Sequence, residues 1–416
     1  MKVVVIAGGQ GTRIASVNSE IPKAMIPIDG KPILEYELEL AKRYGFTDFL
    51  FIIGYLGDRI ADYFGDGAKW GVNIDYFKEE QPLGTAGALG LLKDKLKEHF
   101  FVFYGDTVMD VDLQAMLEFH KAKGADATLF IHPNDHPYDS DIVDIDEQGR
   151  VCRVLLKPHA DGFVSRNMVN AALFIFSPKI LDVITPYTKC HIEKNVLPVC
   201  LEQGMNLYGY VSFEYIKDMG TPERYLAVCN DVVSGKVARL NRRYQRPAVF
   251  LDRDGVVNYE VNLLSKPEQV QLIPGAAEAI RYINASGFLA IIVTNQPVIA
   301  RNLCDLTDLK YIHDWLETLL GRQHAYLNAI YFCPHHPDAG YPEERREYKI
   351  VCNCRKPAPG MLLQAATDWN IDMAHSYMIG DTQRDIQAGE SAGCSQSFLI
   401  PTNTPDALLN LITKIF

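Results

Sequence analysis

Short apolar runs alternate with amphipathic stretches along the whole chain. KVVVI (2–6), DFLFII (48–53), FFVFYG (100–105) and DATLFI (126–131) are nearly continuous apolar runs. Such runs are expected of strands buried on both faces. Between the first two, GKPILEYELELAKRYG (30–45) places apolar residues at helical spacing and ends on a glycine. Strand–helix–strand alternation predicts a mainly parallel sheet covered by helices on both faces.

The pattern restarts late. DVVSGKVARLNRRYQRP (231–247) is basic and has no strong apolar period, and AVFLDRDG (248–255) then opens a new strand that ends in polar residues. The chain therefore divides into a domain over 1–234, a linker over 235–246 and a domain over 247–416, both domains of ordinary size. The predicted class is α/β, two doubly wound domains. No repeat relates the halves.

Composition narrows the function. The 416 residues exceed one ordinary core. A net charge of −11 disfavours nucleic acid and anionic membrane as partners. No apolar run approaches the roughly 18 residues of a membrane span. The first apolar run ends in glycines and an arginine instead of a cleavage site, so it reads as a strand and not a secretion signal. Nine cysteines, scattered except for one cluster and without such a signal, predict reduced thiols in a cytoplasm.

The first candidate site begins at IAGGQGTR, directly after the opening strand. Gly8, Gly9 and Gly11 remove side chains where backbone N–H groups would face phosphate oxygens. A P-loop would need Lys-Ser/Thr after the last glycine, where Thr12-Arg13 stand; a dinucleotide fingerprint would need a glycine in place of Ile14. Four further groups sit where strands end: Lys23 in EIPKAMIPIDG, Gln81, Gly84 and Thr85 in EQPLGTAGAL, Asp106 after FFVFYG, and Asp218 in YIKDMGTPERY. Ligands of open α/β sheets collect at such ends.

This set resembles the sugar-1-phosphate nucleotidyltransferase family over about residues 1–232. The resemblance implies a Rossmann-like mixed sheet. It also implies that Gly8, Gly9, Gly11 and Thr12 cradle the nucleotide phosphates, and that Arg13 and Lys23 neutralise the triphosphate and the departing pyrophosphate. Gln81, Gly84 and Thr85 would contact the base, Asp106 and Asp218 would hold Mg²⁺, and Lys157 and Asn170 would contact the sugar phosphate. Leu156 stands where many relatives carry glutamate, which bears on sugar selectivity, and PKAM replaces the commoner PKPM.

The second candidate site is AVFLDRDGVVN, where Asp252 and Asp254 close an apolar run. Two carboxylates two residues apart are a costly strand end unless a cation binds there, and such a pair suits phosphoryl transfer. FLAIIVTNQ then ends at Thr294-Asn295, CNCRKP supplies Arg355 and Lys356, and HSYMIGDTQRD ends at Asp381 with Asp385 one helical turn on. This ordered set resembles the haloacid-dehalogenase-like phosphatases over 247 to about 400. The resemblance implies Asp252 as nucleophile and Asp254 as proton donor, then base. Thr294 and Lys356 would hold the transferring phosphoryl group, and Asn295 and Arg355 would contact substrate. Mg²⁺ would lie on Asp252, the Asp254 carbonyl and Asp381, and Asp385 would orient the lysine or a bound water. TNQPVIARN departs from the usual TNQSGIARG.

Between these motifs lies the polar stretch IYFCPHHPDAGYPEERREYKIVCNCRKPAPG (330–360). Cys333, His335, Cys352 and Cys354 form two close pairs that suit closed, tetrahedral Zn²⁺; His336 is a spare imidazole. A structural zinc would rigidify a loop too polar to fold alone. In the resemblance this loop is the short cap of the phosphatase. The wording CPHHP and CNCRKP resembles the heptose 1,7-bisphosphate phosphatase subfamily, with histidinol-phosphate phosphatases sharing much of it.

The two resemblances together imply consecutive steps: removal of the C7 phosphate from D-glycero-D-manno-heptose 1,7-bisphosphate, then transfer of GMP from GTP to the resulting heptose 1-phosphate. The alternatives are a transferase for another sugar 1-phosphate and nucleotide, a histidinol-phosphate phosphatase, or one half that has lost catalysis and only binds. Expected partners are sugar phosphates and a nucleoside triphosphate, with Mg²⁺ at both sites; homo-oligomerisation is left open.

Overall fold

The computed structural model describes residues 1–9, 20–338, 340 and 343–416. Two compact units emerge: Met1–His132 with Asp141–Lys157 and Val169–Asn241, and Pro133–Ser140 with Pro158–Met168 and Arg242–Phe416. No helix among the described residues is long and apolar enough to cross a membrane.

The first unit is built on a mixed nine-stranded sheet. Its parallel part joins β1 (Lys2–Ala7), β2 (Asp48–Ile53), β3 (Asn73–Lys78) and β4 (Phe100–Tyr104) in the order β3-β2-β1-β4. All the described valines of β1 are fully buried, as its continuous apolar run requires. The helix Ile33–Arg43 buries Ile33, Leu34, Leu38 and Ala41, at helical spacing, on one face. Beyond β4 the sheet turns antiparallel. A short ribbon of β5 (Thr107–Asp110) lies apart, and β6 (Ala127–His132), β7 (Ile142–Ile145), β8 (Val151–Leu155) and β9 (Val169–Phe176) follow, β9 running antiparallel to β4, β6 and β7. β10 (Leu207–Val211) pairs with β6, and β11 (Tyr215–Asp218) closes the ribbon with β5.

In register, Ala7, Ile53 and Lys78 end their strands side by side, and the next residues are Gly8, Gly54 and Glu79. Two glycines at adjacent strand ends leave a floor without side chains. A β-carbon on Gly8 would overlap the Glu79 carboxylate, and one on Gly54 would lie 2.8 Å from the Gly8 carbonyl. The first half of the predicted linker is folded: Lys236–Arg239 is a short helix, and Leu240 and Asn241 are buried. Asn241 Nδ2 donates to Asp110 Oδ1 at 2.7 Å, which a stretch without apolar period gave no sign of.

The second unit carries a five-stranded, all-parallel sheet ordered β14-β13-β12-β15-β16. Its strands are β12 (Ala248–Leu251), β13 (Leu289–Asn295), β14 (Ala329–Cys333), β15 (Tyr377–Gly380) and β16 (Gln396–Leu399). Helices 276–286, 306–321, 360–369, 383–392 and 407–415 accompany the strands. The helix at 306 starts on a capping box of Asp305 and Asp308, and that at 383 on one of Thr382 and Asp385. Asp385 is thereby fixed at a helix start directly below the end of β15.

Candidate active sites

In the first unit the described members of the glycine-loop site gather at the carboxyl edge of the parallel strands. Gly11, Thr12 and Arg13 lie outside the described residues. Lys23 Nζ pairs with Asp106 Oδ2 in a short contact. Asp218 opposes Thr107 across the β5/β11 ribbon, and Met219 N donates to the Asp106 carbonyl at 3.0 Å. The backbones of Asp106 and Asp218 thus meet at one corner, with the Asp106 carboxylate facing Lys23. Asp218 takes a fork from Arg224 Nη1 at 2.8 and 3.0 Å, an arginine that the motifs did not single out.

Gly84 needs its glycine: φ is +78°, and a β-carbon would overlap the Cys190 carbonyl. Thr85 Oγ1 accepts from Ile192 N at 2.9 Å, while Gln81 is exposed. Lys157 is exposed, its backbone N–H donating to Asp141 Oδ1 at 3.0 Å. Asn170 lies on β9 just before an irregularity in register, where Ala172 takes φ +57°. Its Nδ2 donates to Glu193 Oε1 at 3.3 Å, and Tyr104 O–H donates to the same oxygen at 2.8 Å. Burial raises the Glu193 carboxyl above its ordinary range. Tyr104 and Glu193 were missed from sequence: 89 residues separate them, and neither carries a local motif.

In the second unit the predicted residues converge at the ends of β12, β13 and β15. Oxygens of Asp252, Asp381 and Asp385 lie within 4.8 Å of one another, close enough for a shared cation. Lys356 Nζ stands 2.9 Å from Asp252 Oδ1 and 2.6 Å from Asp385 Oδ1. Asp385 also accepts from Thr382 N and Oγ1 at 2.9 and 2.7 Å. Burial pushes Asp252 up to about 7, with Lys356 opposing and the neighbouring carboxylates adding to the rise. Asp381 is raised, first by burial and then by Asp385. Asp385 goes the other way: burial would raise it, but Lys356 and the Thr382 bonds outweigh that. At Gly255, φ is +82° and a β-carbon would overlap the Asp381 carboxylate.

Asp254 accepts four donors, two on each oxygen, from Arg253, Asn258 and Gln296. Burial alone would raise its carboxyl; Arg253 leads the groups that hold it below the ordinary range. Thr294 is buried at the end of β13. Asn295 clamps the backbone of Lys356 in both directions, Nδ2 to its carbonyl and Oδ1 from its N–H, each at 3.0 Å. That clamp fixes the lysine that faces Asp252.

Cys333, His335, Cys352 and Cys354 come together with donor atoms 3.2 to 3.6 Å apart among their recorded contacts. The edge of a zinc–thiolate tetrahedron is about 3.8 Å, from Zn–S of about 2.3 Å. Burial raises the Cys333 and Cys354 thiols, whereas bonds from its neighbours outweigh burial at Cys352 and lower it. These four donors could hold a metal ion. His336 is outside the set; its backbone N–H bonds the Tyr348 carbonyl. Arg355 Nη1 donates to the His335 carbonyl at 3.0 Å, tying the cation after the last thiol to the loop.

Two acidic centres, one on each α/β unit, define an enzyme with two sites built for phosphorus chemistry. The chain belongs to the nucleotidyl transferase family, whose model matches residues 2–235, and its C-terminal part to the HAD-hydrolase-like family, matched over 353–408. It is 42% identical over 159 residues to D-glycero-beta-D-manno-heptose-1,7-bisphosphate 7-phosphatase of Yersinia pestis, covering 38% of this chain and 82% of that protein. It is 33% identical over 234 residues to mannose-1-phosphate guanylyltransferase of Mycobacterium tuberculosis, covering 56% of this chain and 64% of that one. A crystal structure of HddC from Yersinia pseudotuberculosis complexed with GMP-PN aligns with TM-score 0.48 and 29% identity, over 56% of this chain and 99% of that one.

Proposed function

We propose that the chain carries out two successive steps of GDP-heptose formation: a C7 phosphatase step on heptose 1,7-bisphosphate in the second unit, then guanylyl transfer to heptose 1-phosphate in the first. The observation that carries the reading is the convergence of Asp252, Asp381 and Lys356 in a unit that also holds the Cys/His clip. The phosphatase relatives named above support the heptose substrate, and the guanylyltransferase relative supports GTP.

In the phosphatase step an Asp252 oxygen attacks phosphorus and the bond from phosphorus to the C7 oxygen breaks. The departing alkoxide is protonated at Asp254, leaving an aspartyl phosphate; because the substrate-free site holds this carboxyl below its ordinary range, it must take up that proton when the phosphomonoester binds. Asp254 then takes a proton from water, which attacks the aspartyl phosphate and restores Asp252. Lys356 and the Thr294 hydroxyl hold the phosphoryl oxygens throughout. Asp252, the Asp254 carbonyl and Asp381 would hold Mg²⁺, which supplies charge neutralisation at phosphorus when bound. Cys333, His335, Cys352 and Cys354 would hold Zn²⁺, whose role is structural. A reducing cytoplasm suits four free thiol and imidazole ligands and the absence of disulfides among the described cysteines.

In the transferase step an oxygen of the sugar phosphate attacks the α-phosphorus of GTP and pyrophosphate leaves. No proton need be moved, so Lys23 and the glycine backbone act by charge and position. Asp106 and Asp218 would hold the second Mg²⁺. Asn170 would contact the sugar, and Gln81, Gly84 and Thr85 the base. Neither step touches the anomeric carbon, so both sites must accept the same anomer.

The test gives the purified chain Mg²⁺, each nucleoside triphosphate and each anomer of heptose 1,7-bisphosphate. Phosphate, then pyrophosphate and GDP-heptose from one anomer, is the expected outcome. Hydrolysis of histidinol phosphate instead, or transfer from another triphosphate in preference to GTP, rejects the assignment.

A further inference from the structure

Among the described residues Arg253 is the largest fully buried side chain, 1% exposed, and it sits between two aspartates of the phosphatase site. A guanidinium only donates hydrogen bonds. That one-sidedness fixes the direction of every bond that follows from it. Arg253 Nη2 donates to Gln296 Oε1 at 3.0 Å, so this oxygen is an acceptor and the amide orientation is set. Gln296 Nε2 is therefore a donor, and it serves two acceptors: Asp254 Oδ2 at 2.9 Å and Thr294 Oγ1 at 2.8 Å. With Gln296 donating to its oxygen, the Thr294 hydroxyl keeps its own proton to give elsewhere. Arg253 Nη1 lies 3.1 Å from His313 Nε2, which must accept. A neutral imidazole is thus required there, and burial with the Arg253 charge lowers His313 to about 3.

We infer that Arg253 and Gln296 are positioning residues that set hydrogen-bond polarity in the phosphatase site, so that the Thr294 hydroxyl is presented as a donor to the phosphoryl group of a phosphomonoester. The inference rests on the reading of this unit as a phosphatase. It assigns Gln296 a reason to be an amide: a carboxylate of the same shape accepts only, and would draw the Thr294 proton to itself. It assigns Arg253 a reason to be charged and buried, since a neutral side chain would leave the amide free to turn over.

The experiment is a double-mutant cycle read by calorimetric binding of inorganic phosphate to the magnesium-loaded, full-length chain. Gln296→Glu is measured alone and in a Thr294→Val background, which lacks the hydroxyl but keeps the shape. The added charge weakens phosphate in both backgrounds, so the difference between them isolates the hydroxyl. The expected loss is roughly tenfold larger with threonine present than with valine, the size of one hydrogen bond to a charged group. Equal losses in the two backgrounds, or none, overturn the inference. Gln296→Met, which adds no charge, carries the same comparison should the first variant not fold; the expected difference is then about threefold, from lost orientation alone.

Binding is read without turnover, so the two claims separate. A coupling of the expected size in a chain that hydrolyses no phosphomonoester rejects the phosphatase reading and keeps the polarity. Normal hydrolysis without coupling rejects the polarity and keeps the phosphatase.

Discussion

Lys356 Nζ stands 2.9 Å from Asp252 Oδ1, and its side chain is 2% exposed. Burial raises the Asp252 carboxyl and the lysine opposes that rise. Removing the ammonium must then push the carboxyl above about 7, leaving less nucleophile at neutral pH. Lys356→Met is expected to slow phosphate release about a hundredfold at pH 7, the scale of losing one stabilising charge at a reacting centre. The residual activity should climb with pH further than in the unaltered protein. Initial rates from pH 6 to 9 check this; an unchanged profile would sink the assigned pairing.

A proton and a cation compete for the same Asp252 oxygen. With the carboxyl near 7 in the cation-free protein, affinity for Mg²⁺ should rise about tenfold per pH unit below 7 and level off above it. The same shift acts on stability. The folded carboxyl lies above its ordinary value of 3.8, so the fold binds the extra proton. Stability of the cation-free form is therefore lost as pH rises from about 4 to about 7. Magnesium titrations and thermal melts across that range test both signs, and a pH-independent affinity contradicts the model.

Asp106→Asn and Asp252→Asn should separate the two activities. Each changes a carboxylate at one centre only, and each is close to isosteric. The first is expected to reduce nucleotidyl transfer by a factor on the order of 1,000 and leave phosphate release within twofold; the second does the converse. Parallel loss of both activities in either variant would mean that the two acidic centres are not independent sites.

The strands and the acidic centres were legible because continuous apolar runs that break on aspartate are unusual, and each break coincides with a strand end: Asp106 after β4, Asp252 after β12, Asp381 after β15. The Cys/His cluster stands out by its spacing, and the structure gathers those four residues. Other features depend on long-range pairing that no local pattern encodes. Tyr104 and Glu193 meet across 89 residues. Arg253, flanked by aspartates, has the sequence profile of a solvated charge, yet the fold buries it against His313, 60 residues away. Leu240 and Asn241 lie within a basic stretch and are nonetheless buried, with Asp110 supplying a partner for the amide.

Cys354→Ser should remove the metal clip. Cys354 Sγ lies within 3.3 Å of Cys352 Sγ and His335 Nδ1 and 3.2 Å from Cys333 Sγ, so it touches all three other donors. The chain is expected to bind one equivalent of zinc, and the variant less than a tenth of it. Because Arg355 and Lys356 follow directly, phosphate release should fall with the zinc while nucleotidyl transfer persists. Elemental analysis beside both assays checks this, and a zinc-free, fully active native chain would rule the clip out.

Glu193 determines which way the Asn170 amide points. Asn170 Nδ2 donates to Glu193 Oε1 at 3.3 Å, which leaves Asn170 Oδ1 as a buried acceptor without a partner among the described residues. A buried acceptor without a partner is costly, and a sugar hydroxyl would satisfy it. Glu193→Gln keeps the shape but offers Asn170 either a donor or an acceptor, so the amide is no longer held in one orientation. KM for the sugar 1-phosphate should rise about tenfold, which corresponds to one hydrogen bond, with KM for the nucleotide within twofold. Steady-state kinetics with each substrate varied in turn give the answer. Equal rises in both constants would place Glu193 in the support of the whole cleft and not in the recognition of the sugar.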